Sequence, residues 1–477
     1  GWHYARMVMA ITAIGIVLGW LVGAWFGKVS TGLYAEFYRF PLLIFAPPPS
    51  TFAIGALVSL GAALAGTFSS LRRAAALPPA EAMRPPAPPL YRRTQLSRSR
   101  FAAWLDQPTR IILRQITRWP GRALLTSAGI GLSVGVLVMA LQWIDSINHI
   151  VQVYFYDTQR QDMMIGLVEP QSDTSAHELA HLPGVLAVEP MRIVSAYLRH
   201  GNRSHRGALT GIPPDAQLQR VYDAGGYTVP LPPGGVVLGT KLAEKLGVTT
   251  GDTLQVDVLE GRRPQLQIPV VGLFETYIGI PAFIDIHTLN RLLKERPSLE
   301  YANLLVDDAS LPALYEALKG MPEVSAVMLR EAAIRTFNDT LAETLLIYIS
   351  FFAMFACALG FGVVYNSTRI ALSERGRELA TLRVLGFSRA EISYILLGEV
   401  ALLILIGLPL GCLAGQGLAL VMTTAFETEL YRVPMIIELS TYGTAILVAL
   451  LATAVSATLV RRRLDRLDLI AVLKTRE

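Results

Sequence analysis

Charged residues and cysteines are both scarce in this sequence. Of its 477 residues, 17% are charged and 52% are hydrophobic, and the mean hydropathy is +0.43, whereas a soluble domain has about 25% charged residues. The two cysteines, Cys357 and Cys412, lie in apolar segments, which excludes a disulfide framework or a cysteine zinc site. The composition indicates an integral membrane protein. The net charge of +5 is concentrated in a few loops and indicates membrane topology rather than nucleic-acid binding.

Lysine is missing from the segment 70–122, which has eleven arginines and only two acidic residues, Glu81 and Asp106. By the positive-inside rule this segment is a cytoplasmic linker. Prolines around residues 78 to 89 make it an irregular linker, and residues 109–118 are predicted to form a short amphipathic helix. The arginine-rich tail 461–477 is expected in the cytoplasm as well.

Apolar runs of about 20 residues, the length that crosses the hydrocarbon core, predict six transmembrane helices. Two lie within 1–69, one at 123–145, one at 341–368 and two within 391–460. The polar segment 146–340 has the size of a domain and, with arginine-rich loops on the other side, is expected outside the cytoplasm. Tyr38-Arg39 and Tyr431-Arg432 are expected to be anchors at the outer membrane interface.

The outer segment 146–340 reads as two halves around an insert. Its first part, 162–198, and its last part, 303–329, each have a strand-helix-strand order, and 203–293 is rich in short alternating strands. The expected fold class is therefore membrane α-helical with an inserted α+β extracytoplasmic domain. We expect that domain to consist of ferredoxin-like βαβ halves and a small β-rich insert.

An internal repeat supports these boundaries. Two glycine series have the same spacing, and residues 37–41 and 79–84 resemble 430–434 and 469–474. Glycines four apart share a helix face and let a neighbouring backbone approach, which predicts helix packing at these positions: Gly15, Gly19, Gly23, Gly407, Gly411 and Gly415. Residues 1–69 are then the last two transmembrane helices of a first, truncated module. We expect its opening span and outer domain to precede Gly1, in a longer, cleaved or split protein.

The run from Ser373 to Arg389 is polar and helix-prone, and it lies between two apolar segments. Leu379, Leu382 and Leu385 recur on one face, with charged residues around the rest. This pattern predicts an amphipathic helix over 369–390 that lies on the cytoplasmic membrane surface. Gly386 is placed to be its C-cap.

The same run carries the pattern ER..E...LR..G, formed by Glu374-Arg375, Glu378, Leu382-Arg383 and Gly386. It resembles the cytoplasmic signature of the FtsX/MacB family of ABC transporter permeases, and the outer segment resembles the MacB-type periplasmic region. The resemblance implies a multi-pass permease of the bacterial inner membrane. The chain has no complete nucleotide-binding motif, since Gly27-Lys28 is followed by Val29, so a separate ATPase subunit would hydrolyse ATP.

The resemblance also implies partners and site residues. A dimeric cytoplasmic ATPase would dock on Glu374 to Gly386, with Arg375 and Arg383 forming ion pairs and Leu379 and Leu382 entering an apolar groove. Further expected partners are a second permease copy or the missing N-terminal half, the lipid bilayer and a periplasmic partner. The expected activity is release or export of lipoprotein, lipid, peptide or hydrophobic compounds, or mechanotransmission alone. No cofactor, metal or catalytic residue is expected.

Two features favour other functions. Residues 177–181 read HELAH, and His177 and His181 with Glu178 could form the zinc site of a membrane metalloprotease, although Pro183 ends that helix at once. Glu399 lies in an apolar span, where a carboxylate is a functional candidate, so a proton-coupled secondary transporter is an alternative. Capping or snorkelling explains both Glu399 and Asp145 in a purely structural way.

Overall fold

The computed structural model describes residues 2–38, 44–76, 106–339, 343–425, 427–428 and 432–465. The chain divides into two units, Gly1–Ser97 and Arg98–Glu477. Most of the predicted linker 70–122, the tail from residue 466 onward, and the repeat segments 79–84 and 469–474 lie outside the described residues.

The first unit contains two long helices, α1 (Trp2–Tyr38) and α2 (Pro49–Ala76). They meet at Trp20 and Phe52, whose rings are edge to face with centroids 5.8 Å apart. The Trp20 indole N–H also donates a hydrogen bond to the Phe52 carbonyl at 3.2 Å. The indole therefore has a polar partner inside an otherwise apolar helix pair.

The second unit starts with α3 (Gln107–Arg118), the amphipathic helix expected from the sequence, and α4 (Pro120–Val151). Pro108 and Pro120 each lie in a first helical turn, where a missing N–H costs nothing. A π-helical segment, Gln152–Thr158, continues α4 into the outer domain, the name used here for residues 159–337.

The outer domain contains both of the expected strand-helix-strand runs. The first is β1 (Met163–Ser172), α5 (Thr174–Ala180) and β2 (Val185–His200). The insert follows with β3 (Arg203–Ile212), β4 (Val236–Gly239), α6 (Thr240–Leu246), β5 (Thr253–Val258), β6 (Gln265–Phe274), β7 (Ala282–Asp285) and α7 (Ile286–Leu293). The second run is β8 (Ser298–Val306), α8 (Leu311–Lys319) and β9 (Val324–Leu329).

These strands form two bodies that share β2. In the first body, the four strands β2, β8, β1 and β9 pair in that order, each antiparallel to its neighbour. In the second body, neighbouring strands pair in the spatial order β3-β7-β4-β6-β5-β2. Strand β2 also pairs with β3, which closes these six strands into a barrel. Pairing of β2 with β8 ends at Met191, and pairing with β3 begins at Arg192. The change from sheet to barrel thus occurs between two consecutive residues.

Each body has its own core. The barrel encloses a large apolar cluster, with Leu198, Leu209, Leu238, Leu254 and Ile268 all fully buried. A separate cluster lies between the four-stranded sheet and helices α5 and α8. A third cluster, with Met191, Val237 and Phe283 buried and Met164 and Tyr301 packed against it, lies where the barrel meets the sheet, so apolar contacts also join the two bodies.

The chain returns through α9 (Arg330–Phe337) to three long helices, α10 (Glu343–Val384), α11 (Arg389–Ala425) and α12 (Leu439–Asp465). Helix α4 is central among them, and residues of α10, α11 and α12 pack around its buried positions Ile130, Val134 and Leu137. In the described part of the chain, six helices are long and apolar enough to cross a membrane: Arg6–Gly32, Pro49–Thr67, Pro120–Thr158, Leu346–Ile370, Ala390–Ala425 and Leu439–Thr458.

Candidate functional site: the two ends of the membrane helices

A row of glycines joins α4 and α11. A Cβ added to Gly411 would lie 2.6 Å from Cβ of Val134 and 2.8 Å from the carbonyl oxygen of Gly131. A Cβ at Gly407 or Gly415 would come within 3.1 Å of backbone atoms of α4. The two helices are thus close enough that only glycine fits, the arrangement by which small residues allow helices to pack in a membrane.

Two glycines of α4 complete this contact and were missed from the sequence. A Cβ on Gly131 would lie 3.1 Å from the Gly407 carbonyl oxygen, and one on Gly135 would lie 3.1 Å from the Gly415 amide nitrogen. Their spacing of four residues is the signal that could have identified them. In α1, by contrast, a Cβ on Gly15, Gly19 or Gly23 would meet no described atom within 4 Å. Packing at those three positions stays a prediction.

The outer end of α4 holds the segment between α11 and α12. The side chains of Gln142 and Ser146, both fully buried, donate hydrogen bonds to the Pro434 carbonyl at 3.1 and 2.7 Å. Between these two residues in sequence, Asp145 accepts hydrogen bonds from the Glu438 amide at 2.9 Å and the Thr441 hydroxyl at 2.6 Å. Asp145 therefore caps the N-terminus of α12, a structural role in which its carboxylate also favours the positive end of the helix dipole.

The same segment contacts the barrel, at a place called here the outer junction and formed by Lys241, Glu275, Tyr277, Glu427 and Arg432. Arg432 donates its backbone N–H to the Tyr277 carbonyl at 2.9 Å. Its guanidinium lies 3.2 Å from Glu275 and 3.6 Å from Glu427. Lys241 of α6 lies 3.0 Å from Glu427. Arg432 is thus paired with Glu275 of the barrel and with Glu427 of its own segment, whereas the sequence had indicated only an interfacial anchor.

Solvent reaches most of the outer junction. The side chains of Lys241, Glu275 and Arg432 are 40 to 49% exposed, and such ion pairs typically contribute only about 0 to 1 kcal/mol. The hydrogen bond to Glu427 raises the pKa of Lys241 above its ordinary value, so the amine is charged at neutral pH. Burial raises the pKa of the Tyr277 hydroxyl, which lies 3.4 Å from His149 of α4. The ion pairs of the junction therefore contribute little to stability.

The four-stranded sheet is attached to a different pair of helices. Arg330, the first residue of α9, forms a 2.8 Å ion pair with Asp162, just before β1, and their backbones are hydrogen bonded at 3.0 Å. Phe155 of the π-helical segment packs against Phe337 at the end of α9, with ring centroids 5.6 Å apart. Because β1 follows α4 and α9 precedes α10, the sheet is linked to α4 and α10, while the barrel contacts the segment between α11 and α12.

At the other end of the bundle, the run from Ser373 to Arg389 does not form a helix of its own. Helix α10 continues from the membrane span to Val384 without a break, which corrects the boundary expected at 368–369. The reason is that nothing between Thr368 and Ser373 interrupts helix propensity: there is no Gly or Pro in that stretch. That this run lies along the membrane surface stays a prediction.

Gly386 ends this helix as expected. Its φ of +99° is in the region that favours glycine, the Phe387 amide bonds to the Leu382 carbonyl at 3.1 Å, and the Leu385 amide bonds to the Thr381 carbonyl at 2.9 Å. The first of these bonds is that of a Schellman cap. Ser388 then opens α11 through a capping box with Glu391, in which each accepts a hydrogen bond from the amide of the other.

The candidate ATPase-docking residues all belong to this helix end. Leu382 is half-buried, whereas Leu385 is 71% exposed. The side chains of the other candidates, Glu374, Arg375, Glu378, Leu379 and Arg383, lie outside the described residues. Their roles in docking stay a prediction.

The residues behind the two alternative functions are placed as follows. Glu399 is half-buried and lines a cleft with Gln115 and Arg122. His177 and His181 are exposed, and Nδ1 of His181 lies 2.6 Å from the His177 carbonyl oxygen, within hydrogen-bonding distance. In the part of the chain that the structure describes, no three His, Cys, Asp or Glu side chains are placed to hold a metal ion.

Two family models match the chain. The model for the MacB-like periplasmic core domain matches residues 123–321, and the model for the FtsX-like permease C-terminal matches residues 350–469. The first match includes α4 and most of the outer domain, and the second includes most of α10 and all of α11 and α12.

The chain is similar to two curated proteins. An uncharacterized ABC transporter permease protein of Mycobacterium tuberculosis is 23% identical over 205 residues, which are 41% of this chain and 23% of that protein. The lipoprotein-releasing system transmembrane protein LolC of Neisseria meningitidis is 26% identical over 306 residues, 58% of this chain and 72% of LolC. The chain thus spans less than a quarter of the mycobacterial relative.

Two solved structures also match. The periplasmic region of MacB from Actinobacillus actinomycetemcomitans is 15% identical, covers 40% of this chain and 99% of its own, and has a TM-score of 0.28. The extracellular domain of the transporter YknZ from Gram-positive bacteria is 14% identical, covers 36% and 99%, and has a TM-score of 0.25.

Six candidate spans in the described part of the chain, with an α+β domain inserted after α4, are the architecture of a multi-pass membrane protein. With both domain matches, the chain belongs to the ABC transporter permeases of the FtsX/MacB type.

Proposed function

We propose that this permease couples ATP hydrolysis on a separate cytoplasmic ATPase dimer to a movement of its outer domain. The observation that carries the proposal is the length of α10. Its 42 residues span about 63 Å at 1.5 Å per residue, about twice the roughly 30 Å of the hydrocarbon core. Residues 371–384 extend about 21 Å beyond the apolar span, and α10 begins at Glu343, shortly after the outer domain ends at Phe337. A displacement at one end is therefore delivered to the other without a joint.

The attachments of the outer domain support a relative movement of its two bodies. The sheet is linked to α4 and α10, whereas the barrel contacts the segment that joins α11 to α12 through Arg432 and Glu427. The glycine contact keeps α4 and α11 together, so α10 is the helix whose shift would change the angle between sheet and barrel. Such coupling requires the ATPase to bind the two permease conformations with different affinities.

The strand order β9-β1-β8-β2, with a helix in each strand-helix-strand run, supports the assignment of the sheet and its two helices as a ferredoxin-like unit. The barrel is the β-rich insert within it. The permease itself would be non-catalytic. The residues on which the ATPase would dock are Glu374, Arg375, Glu378, Leu379, Leu382, Arg383 and Gly386.

The cargo we propose is an apolar or lipid-linked molecule: a lipoprotein, a lipid, a peptide or a hydrophobic compound. The name of LolC describes lipoprotein release, and the exposed apolar faces of α10 and α12, such as those at Met354 and Leu451, suit cargo that leaves the bilayer. A second permease copy, or an N-terminal half of a longer protein, would complete the transporter, with a periplasmic partner outside.

The test is copurification of the ATPase with charge-reversed permease. Changing both Arg375→Glu and Arg383→Glu should abolish ATPase binding, because both ion pairs become repulsions. Arg462→Glu is the matched control, an exposed arginine of α12 on the same side of the membrane, and it should leave binding unchanged. Undiminished binding by the double variant would contradict the proposed docking site. Loss of binding in Arg462→Glu as well would indicate a general effect of charge.

A further inference from the structure

Arg192 lies where β2 leaves the four-stranded sheet and enters the barrel, and it is 3% exposed. Three glutamates interact electrostatically with it, each from a different element. Glu260 lies in the turn between β5 and β6 of the barrel, Glu295 follows α7, and Glu300 belongs to β8 of the sheet. The cluster therefore connects the four-stranded sheet and the barrel at Arg192, where β2 changes from one to the other.

The pairing inside this cluster is incomplete. The Arg192 guanidinium lies 3.4 Å from Glu295 and 3.8 Å from Glu260, longer than good charge-assisted hydrogen bonds. Nε and Nη1 of Arg192, one carboxyl oxygen of Glu260 and one of Glu300 are buried and have no hydrogen-bond partner among the described residues. Three carboxyl groups share one cation, so full ionisation leaves the cluster with a net charge of two negative units.

We propose that Arg192 and these three glutamates form a proton-controlled hinge between the barrel and the sheet, closed when a carboxyl group of the cluster is protonated and looser when all three are ionised. Its use in transport rests on the proposed function. The hinge itself needs no ATPase and can be measured on the permease alone.

The direction follows from where each charge lies. Burial raises the pKa of Glu260 and of Glu300, while the Arg192 charge lowers both pKa values and the neighbouring glutamates raise them. A carboxyl group whose pKa is higher in the closed form binds its proton more tightly there, so low pH favours the closed form and the preference is lost as pH rises through the raised pKa.

The other titratable and charged groups near the cluster, among the described residues, are a tyrosine and four exposed cations. Tyr301, next to Glu300, has a pKa raised by burial and stays neutral. Arg262 and Arg263 in the β5–β6 turn, and Lys294 and Arg296 beside Glu295, are exposed to solvent, where water screens them. Water also partly screens Glu260 and Glu295, whose side chains are 38% and 37% exposed. Arg192 is the described cation that reaches into the cluster.

The experiment measures the angle between the two bodies by spin-label distances. Cysteines replace Asn202, at the barrel end of β2, and Ala313, on α8 over the sheet, both exposed, in a full chain whose Cys357 and Cys412 are alanine. The protein is placed in lipid nanodiscs without ATPase. The expected result is one narrow distance distribution at pH 5 and a broader or shifted one at pH 8. The same distribution at both pH values would overturn the proposal.

Two sets of variants separate a hinge from a merely structural cluster. Changing Glu260→Gln and Glu300→Gln together should give the narrow distribution at both pH values, whereas Glu316→Gln, on the exposed face of α8, should behave as the parent. Arg192→Met should move the midpoint of the transition to higher pH, because the charge that lowers both pKa values is gone, and Arg192→Lys should restore it. A pH response that persists in the double glutamine variant, or a midpoint that does not move in Arg192→Met, would contradict the hinge.

Discussion

The Thr441 hydroxyl donates a 2.6 Å hydrogen bond to the carboxylate of Asp145, a residue almost three hundred positions earlier in the chain. Asp145 thus caps α12 from the end of α4. Replacing Asp145 with alanine should lower the stability of the purified permease by about 1 to 3 kcal/mol, because the Thr441 hydroxyl and the Glu438 amide lose their partner inside the bundle. Thermal unfolding in detergent is the measurement, and Asp308→Ala, at an exposed turn, is the control. Equal effects of the two variants would contradict the cap.

The glycine row makes a sharper prediction because α11 contains its own control. Gly411→Ala should destabilise the permease by about 1 to 3 kcal/mol, since the new Cβ would overlap Val134 and the helices would have to separate. Gly417→Ala lies on the same helix, where a Cβ meets no described atom within 4 Å, and should be neutral or slightly stabilising. The thermal midpoints of the two variants in one detergent test this, and similar midpoints would argue against close packing at Gly411.

Periodicity and charge were sufficient to predict the spans, the outer domain and both strand-helix-strand runs, because each depends on local sequence. Closure of the insert into a barrel was not predictable, since it depends on which strand pairs with β2 beyond Arg192. The outer junction was missed for the same reason: Arg432 and Glu275 are more than 150 residues apart, and only the fold brings them together. The predicted surface helix was wrong as a separate element because amphipathic character indicates a helix but not where the preceding one ends.

The outer junction predicts a functional effect larger than its contribution to stability. Arg432→Glu places a negative charge beside both Glu275 and Glu427, so the segment between α11 and α12 should separate from the barrel. Stability should change by no more than about 1 kcal/mol, because these groups are exposed, while ATP-dependent release or export should be reduced severalfold. Arg335→Glu, an exposed arginine of α9 in the outer domain, is the control. Unchanged transport by Arg432→Glu would contradict a coupling role for the junction.

Stability should also depend on pH through Glu300. Burial raises its pKa in the folded protein, so the ionised carboxylate destabilises the fold at high pH and the penalty disappears as pH falls toward the unfolded value. Glu300→Gln should therefore raise the thermal midpoint at pH 8 more than at pH 5. Glu316 gives the opposite sign, because its hydrogen bond to Lys319 lowers the pKa. Glu316→Gln should bring no gain at pH 8, and a gain equal to that of Glu300→Gln would contradict the assignment.

The continuity of α10 can be tested at Gly362, in the middle of its span. A Cβ there meets no described atom within 4 Å, so Gly362→Ala keeps the helix intact. Gly362→Pro removes a backbone hydrogen bond and bends the helix at a cost of about 3 kcal/mol or more. Both variants should still bind the ATPase, because the proposed docking residues from Glu374 to Gly386 are unchanged. Only the proline variant should lose the ATP-dependent change in spin-label distance between residues 202 and 313. If the proline variant kept the full change, the force would have to reach the outer domain by another helix, and α4 with α11 would be the pair to examine.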